Sequence, residues 1–213
     1  MSKLVYSEVI KNRVIISTKF PVLERRGRVW RAFGCTGVVL NLGSGNVTCA
    51  NHREIASAYS DCQVFSCDSD QNSGADWTSL EEATSSQKYD LIVAEHFLEH
   101  IDTQEFADTL SVQIVEAIKP KGTLVITIPN IYCFGTFFSD YDHKNFASPV
   151  DIAAIFCCRG LEIVDFFRWS KPKQMMYQEN MTEVERFVES FIEKNYGLQT
   201  DRYVTMVFRK REK

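Results

Sequence analysis

His96, Glu99 and His100 stand at i, i+3 and i+4, so a single helical turn would aim all three side chains to one side. His143, brought in from another loop, would complete a set of nitrogen and oxygen donors for a divalent ion, and a nitrogen-rich set favours a transition metal over magnesium. His143 also offers a second chemistry. In Tyr141-Asp142-His143-Lys144 it stands beside Asp142, with Asp140 close behind. An imidazole oriented by a carboxylate is well matched to taking a proton near neutral pH. The plainer alternative is a loop histidine bonded to backbone. Of the four histidines, only His52 falls away from the end of an expected strand.

Such residues need a frame. The apolar run from Val38 to Leu42 ends in Gly43-Ser44-Gly45, and the residues from Ala50 to about Tyr59 have helical composition. Strand, glycine turn and helix form the unit that presents backbone N–H groups to a nucleoside-type cofactor. A dinucleotide fingerprint wants a third small residue where Thr48 stands, which argues against a nicotinamide cofactor. Gln63 to Cys67 reads as the next strand and ends at Asp68, roughly 20 residues past the turn, where a carboxylate can accept from both hydroxyls of a ribose. Asp70 is the rival for that role, and an ordinary loop carboxylate is the third reading.

A short strand is expected around Ala75-Asp76-Trp77 and a buried one over Tyr89–Ala94, which delivers Glu95 and His96. Thr103 to Lys119 reads as a helix with Phe106, Leu110, Ile114 and Ile118 on one face, stopped by Pro120-Lys121-Gly122. Thr123 to Ile128 is a further strand, closed by Pro129-Asn130. Residues 131–147 follow its carboxyl end, where ligands bind in such sheets. They mix Tyr132, Phe134, Phe137, Phe138, Tyr141 and Phe146 with Asp140, Asp142 and His143. Alternation of strands and helices implies an α/β fold with a doubly wound, mostly parallel sheet.

The remainder completes a single domain over 1–213. Residues 1–35 form an arm, with Val14-Ile15-Ile16 as a short strand or packing segment, and an amphipathic helix from Pro21 to Phe33 whose arginines form a solvated face. Residues 36–168 are the core. A helix over Pro149–Cys158 and a strand over Leu161–Phe167 lead to a polar insert at 170–200 holding a helix from Thr182 to Lys194, and Tyr203–Arg209 is the last strand. A net charge of −4 and a pI near 5.6 leave no general footprint for nucleic acid. Seven scattered cysteines, odd in number and without a CxxC pair, read as small buried hydrophobes in a reducing, cytoplasmic setting. No apolar run is long enough for a membrane span.

The glycine turn, Asp68, Tyr89-Asp90-Leu91-Ile92-Val93 leading to Phe97-Leu98-Glu99-His100, and Lys119-Pro120-Lys121-Gly122-Thr123-Leu124 before Pro129-Asn130 together resemble class I S-adenosylmethionine-dependent methyltransferases. The sub-type is the small "type 11/12" group that runs "NLGCGN", "LEH", "LKPGG" and "PN". Four motifs in order span about residues 36–168. The resemblance implies a seven-stranded, Rossmann-like sheet with an antiparallel last strand. It places the methionine moiety against Gly43, Ser44 and Gly45, the ribose on Asp68, the adenine near Asp76 and Trp77, and Glu95 and His96 beside the sulfonium. Asn41 stands where the family usually has an acid and Val47 near a usual glycine; Asn41 can still accept from the cofactor's amino group.

A small hydroxyl-rich acceptor, such as a sugar, nucleotide-sugar or glycosylated metabolite, follows from the sub-type and from the loop that mixes aromatics with Asp and His. His143 is the expected base, with Asp142 orienting it. N-methylation of an amino sugar needs no other residues. The His96, Glu99, His100 and His143 set is similar to the metal site of ubiquinone-biosynthesis and small-RNA 2′-O-methyltransferases, with His96 in place of the first Glu. This makes a metal-assisted RNA terminal 2′-O-methyltransferase the second reading, and a catalytically silent partner subunit the third. Aromatic exposure in the loop also suits a homodimer.

Overall fold

The structure, a computed structural model, describes residues 6–20, 24–25, 35–133, 142–145, 147–170, 181–196 and 201–212. Helix α1 (Tyr6–Lys19) opens the chain, and the expected strand or arm at Val14–Ile16 lies inside it. Ile16 is buried whereas Val14 and Ile15 face outward. Inward-facing positions in α1 follow helical spacing, so packing overrides the β-preference of a Val-Ile-Ile run. Strand β1 is only Glu24–Arg25, paired in parallel with Phe167 and Arg168. It replaces part of the helix expected over Pro21–Phe33; the rest of that expectation lies outside the described residues.

The other strands are β2 (Val38–Leu42), β3 (Gln63–Cys67), β4 (Tyr89–Glu95), β5 (Ile118–Pro129), β6 (Leu161–Trp169) and β7 (Tyr203–Lys210). Their order is β1-β6-β7-β5-β4-β2-β3, with β7 antiparallel to both neighbours. The sheet therefore has six full strands rather than the expected seven, and a seventh member only two residues long. The strand expected at Ala75–Trp77 is a single bridge from Trp77 to Cys67. Asp76 explains the shortfall: its Oδ2 accepts the Ser66 N–H at 2.8 Å, so a side chain takes the place of a neighbouring backbone carbonyl.

Between β2 and β3 runs α2 (Ala50–Ala58), and α3 (Leu80–Ser86) precedes β4. The long helix is continuous from α4 (Thr103–Glu105) through a wider π-helical turn, Phe106–Leu110, into α5 (Ser111–Ala117). Its expected face, Phe106, Leu110, Ile114 and Ile118, is buried throughout. Asp102 caps it, accepting from the N–H groups of Gln104 and Glu105 at 2.8 and 3.2 Å. The helix stops two residues earlier than expected and β5 starts at once. Ile118 pairs with Tyr89, the chain leaves the ladder at Pro120-Lys121-Gly122, and Thr123 rejoins it opposite Leu91. Lys121 adopts a left-handed φ of 62° in that excursion.

After β5, α6 (Pro149–Cys158) is started by the Ser148 hydroxyl, which accepts the Asp151 N–H, and by proline at the first turn. Helix α7 (Glu183–Tyr196) occupies the expected insert. Apolar side chains cover both faces of the sheet. Leu40, Ile92, Leu124 and Phe208 pack on one side with Phe106 and Phe156 of the helices, and Val39, Leu91, Val125 and Phe167 pack on the other with Ile55. All seven cysteines are free thiols, but only Cys67 and Cys133 are fully buried. Burial pushes the Cys67 thiol up to about 12. Among the described residues no helix is long and apolar enough to cross a membrane.

Candidate functional site at the carboxyl edge of the sheet

The glycine turn is tied down from below. Gly43 and Ser44 donate their N–H groups to the Cys67 carbonyl at 2.9 and 3.1 Å, and Gly45 donates to Asp68 Oδ2 at 2.7 Å. Two of these donors are thus spent on the last residue of β3 and the third on Asp68 just beyond it, contrary to the expectation of free amides facing a cofactor. The remaining offer of the turn is space. A Cβ on Gly45 would meet nothing within 4 Å, whereas one on Gly43 would stand 2.5 Å from the Phe97 ring. Both glycines are left-handed, at φ 69° and 59°. Ser44 is buried with its hydroxyl on the Gly45 carbonyl.

Asp68 Oδ1 accepts the Asp70 N–H at 3.0 Å. The rival Asp70 turns its own carboxylate to Asn72, accepting from its backbone N–H and side-chain amide. Of the two acids only Asp68 faces the turn. Asn41 is buried, its amide bonded to His52 Nδ1 at 3.1 Å, a partner that sequence spacing does not signal. Desolvation holds the His52 imidazole below its ordinary value, so the ring is neutral and accepts.

The two residues expected at the adenine have other duties. Asp76 binds Ser66 through both its N–H and its hydroxyl. Trp77 is half-buried, packs against Phe65 with ring centroids 6.3 Å apart, and has its backbone N–H and carbonyl bonded to Ser66 and Asp68. Trp77 thus also forms a wall of the core, joined to it through the Cys67 bridge.

At the end of β4 the buried Glu95 is followed by His96, whose φ of 57° is unusual for a residue with a side chain. Its N–H continues the β4–β5 ladder to Thr127 O at 2.9 Å. Its Nδ1 meets Glu99 Oε1 at 3.1 Å, and its ring stands edge-on to Tyr203, centroids 4.8 Å apart. Tyr203 in turn lies 4.7 Å from Trp169. No sequence signal links Tyr203, which opens β7, to a residue at the end of β4.

Glu99 is 2% exposed, and its Oε2 has no hydrogen-bond partner among the described residues. Its carbonyl accepts the N–H groups of Lys144 and Asn145 at 2.7 and 3.0 Å, which carries His143 to the Leu98–His100 turn. The His100 and His143 rings are 5.3 Å apart. Donor atoms of Glu99, His100 and His143 lie within 4.8 Å of one another. Three of the four residues of the metal reading therefore lie together, and His96 is linked to them through its hydrogen bond to Glu99. Asp142 meets His100 Nδ1 at 3.2 Å and Lys144 Nζ at 3.4 Å. The Lys144 ammonium and, after it, His100 hold the Asp142 carboxyl below its usual range. Asp140 and the loop aromatics from Phe134 to Tyr141, with Phe146, lie outside the described residues.

Two larger hollows open at the opposite edge or flank, beside Asp90, Lys121 and Arg209 and beside Val112, Arg159 and Lys210. Neither contains any of the expected residues.

No model of a known protein family matches the sequence, and no curated protein matches it. Solved structures do. The chain is similar to a SAM-dependent methyltransferase from Archaeoglobus fulgidus at 18% identity, over 95% of this chain and 94% of that one, with a TM-score of 0.64. It is similar to the N-methyltransferase NodS from Bradyrhizobium japonicum WM9, crystallised with S-adenosyl-L-homocysteine, at 14% identity over 95% and 87% of the chains, TM-score 0.55. A further likeness is to an S-adenosylmethionine-dependent methyltransferase from Mesorhizobium loti, at 13% identity over 82% and 92%, TM-score 0.55. These likenesses establish the Rossmann-like methyltransferase fold.

Proposed function

We propose, for a chain with the methyltransferase fold, that it transfers a methyl group from S-adenosylmethionine to a hydroxyl of a small, hydroxyl-rich acceptor. The observation that carries this reading is a juxtaposition. The turn with open space above Gly45, faced by the Asp68 carboxylate, and a histidine held by a buried carboxylate both stand at the carboxyl edge of neighbouring strands β2, β3 and β4.

The cofactor supplies an electrophilic methyl group on a sulfonium. Asp68 would exchange the Gly45 N–H for ribose hydroxyls, and Gly45, having no Cβ, leaves room for the ligand to approach the backbone. Asn41 stays buried on His52 and steadies the strand end. His96 is the better base in this geometry: its Nδ1 is committed to Glu99, leaving Nε2 to take the acceptor's proton, and the Glu99 carboxylate stabilises the imidazolium that forms. His143 would face the same acceptor from the loop side. Transfer is an in-line displacement, so most of the rate enhancement would come from holding the acceptor oxygen close to the methyl group.

A second reading rests on the buried, unpartnered Glu99 Oε2 among His100 and His143. Glu99, His100 and His143, with His96 beside them, would hold a divalent ion. A metal there would bind vicinal hydroxyls and lower their pKa, chemistry that would serve a terminal 2′-O-methylation of RNA.

Calorimetric titration with S-adenosylhomocysteine, with and without chelator, tests both readings. One-to-one binding that is insensitive to chelator supports the simple base. Loss of acceptor turnover with chelator supports the metal. Folded protein that binds no S-adenosylhomocysteine overturns the enzyme reading in favour of a silent partner subunit.

A further inference from the structure

Helix α7 carries a stripe of exposed apolar side chains. Thr182 and Glu185 form a reciprocal capping box: Glu185 Oε2 accepts the Thr182 N–H and hydroxyl at 2.8 Å each, and the Glu185 N–H donates to Thr182 Oγ1 at 3.2 Å. On its inner side an ion pair from Glu193 to Arg168 fixes it to β6, and Arg168 is itself held by the buried Asp201 at 3.3 Å. The outer side bears Val184, Phe187, Val188, Phe191 and Ile192, which are 72, 69, 46, 49 and 36% exposed. The Phe187 and Phe191 rings stack with centroids 6.4 Å apart. A helix anchored by its polar face, with apolar residues at helical spacing turned to water, is the reverse of ordinary packing.

We propose that this stripe is an interface with a second copy of this chain, α7 lying antiparallel to its counterpart about a two-fold axis. Area and charge together single out that occupant. Given ordinary residue sizes, the five side chains expose about 500 Å² per chain, so a symmetric pair removes roughly 1,000 Å² from water, the lower bound for a specific contact. Glu183 and Lys194 lie on one flank of the stripe, about three turns apart, one at each end of the helix. In an antiparallel pair Glu183 of each chain meets Lys194 of the other, so one surface supplies both halves of two ion pairs. Phe187, Val188 and Phe191 fall at the centre, where aromatic anchors contribute most. The opposite flank carries Glu185, committed to the cap. An interface at the lower size bound implies a reversible dimer with a dissociation constant on the order of 10 µM. The inference is independent of the methyltransferase reading.

Sedimentation velocity of the full chain, from about 1 to 200 µM, tests it. The wild type is expected to pass from monomer to dimer across that range. Phe187→Glu with Phe191→Glu, both at exposed positions, should stay monomeric throughout. Glu183→Lys alone should weaken the dimer about tenfold, and adding Lys194→Glu should restore it. A wild type that is monomeric at every concentration, or a dimer that survives the double phenylalanine change, overturns the proposal. A dimer that the charge exchange does not restore overturns the antiparallel arrangement.

Discussion

The Asp68 carboxylate closes over the glycine turn by accepting the Gly45 N–H at 2.7 Å, while its other oxygen accepts the Asp70 N–H. Both oxygens are therefore oriented by backbone before any ligand arrives. Asp68→Ala is expected to weaken S-adenosylhomocysteine binding by more than tenfold in a calorimetric titration. Asp70→Ala should change it little, because that carboxylate turns to Asn72. Equal affinity in Asp68→Ala would remove Asp68 from the ribose.

Gly43 and Gly45 share a left-handed backbone but differ in surroundings. Gly43→Ala adds a clash with the Phe97 ring to the backbone cost, and should lose about 3 kcal/mol of stability in chemical denaturation. Gly45→Ala meets only the backbone cost, about 1 kcal/mol, yet should weaken cofactor binding because its Cβ enters the space above the turn. If both variants lose only stability, the turn does not contact the cofactor.

The pH dependence of stability should carry the signature of His52. Its ordinary value is 6.5 and burial lowers it in the folded chain. The unfolded chain then binds the proton more readily, so this contribution is fully present above about pH 6.5 and fades as pH falls below it toward the folded value. His52→Gln keeps a hydrogen-bonding partner for Asn41 and should flatten the fall measured by urea denaturation between about pH 7 and 5. An unchanged profile would assign the acid sensitivity to other groups.

The base and metal readings separate on His100. With a metal-free base, His96→Gln should slow turnover about a hundredfold with cofactor affinity intact, and His100→Ala should have little effect. With a metal, His100→Ala and Glu99→Ala should each abolish calorimetric binding of Mn²⁺ or Co²⁺. Metal binding that survives Glu99→Ala would place the ion elsewhere.

How much the sequence reveals differs by element. Strand β3 and the α6 helix fall on their expected boundaries because apolar periodicity and local punctuation, Ser148-Pro149 above all, agree there. The arm misleads because Val14–Ile16 has strand-like residues whose fate is set by α6, a long way down the chain. The histidine cluster is readable only in part: His96 and Glu99 do meet, but His96 sits at the end of the β4 ladder with a left-handed backbone, before the Leu98–His100 turn, so the contact does not come from a shared helical turn. Its internal pairing is not: Asp142 reaches back to His100 because two backbone bonds to the Glu99 carbonyl fix the loop's path. Tyr203 on His96 and His52 on Asn41 depend on tertiary placement alone.

Asp76, expected beside an adenine, has a consequence at the border of the sheet. Beyond β3 the ladder ends after one bridge, and a bare strand border is a template on which another chain can build. By placing a charged carboxylate on the Ser66 N–H, Asp76 occupies a donor that an incoming strand would need and sets a negative charge where that strand would lie. The residue that shortens the sheet thereby limits it to one molecule, keeping neighbouring chains from extending it into an aggregate.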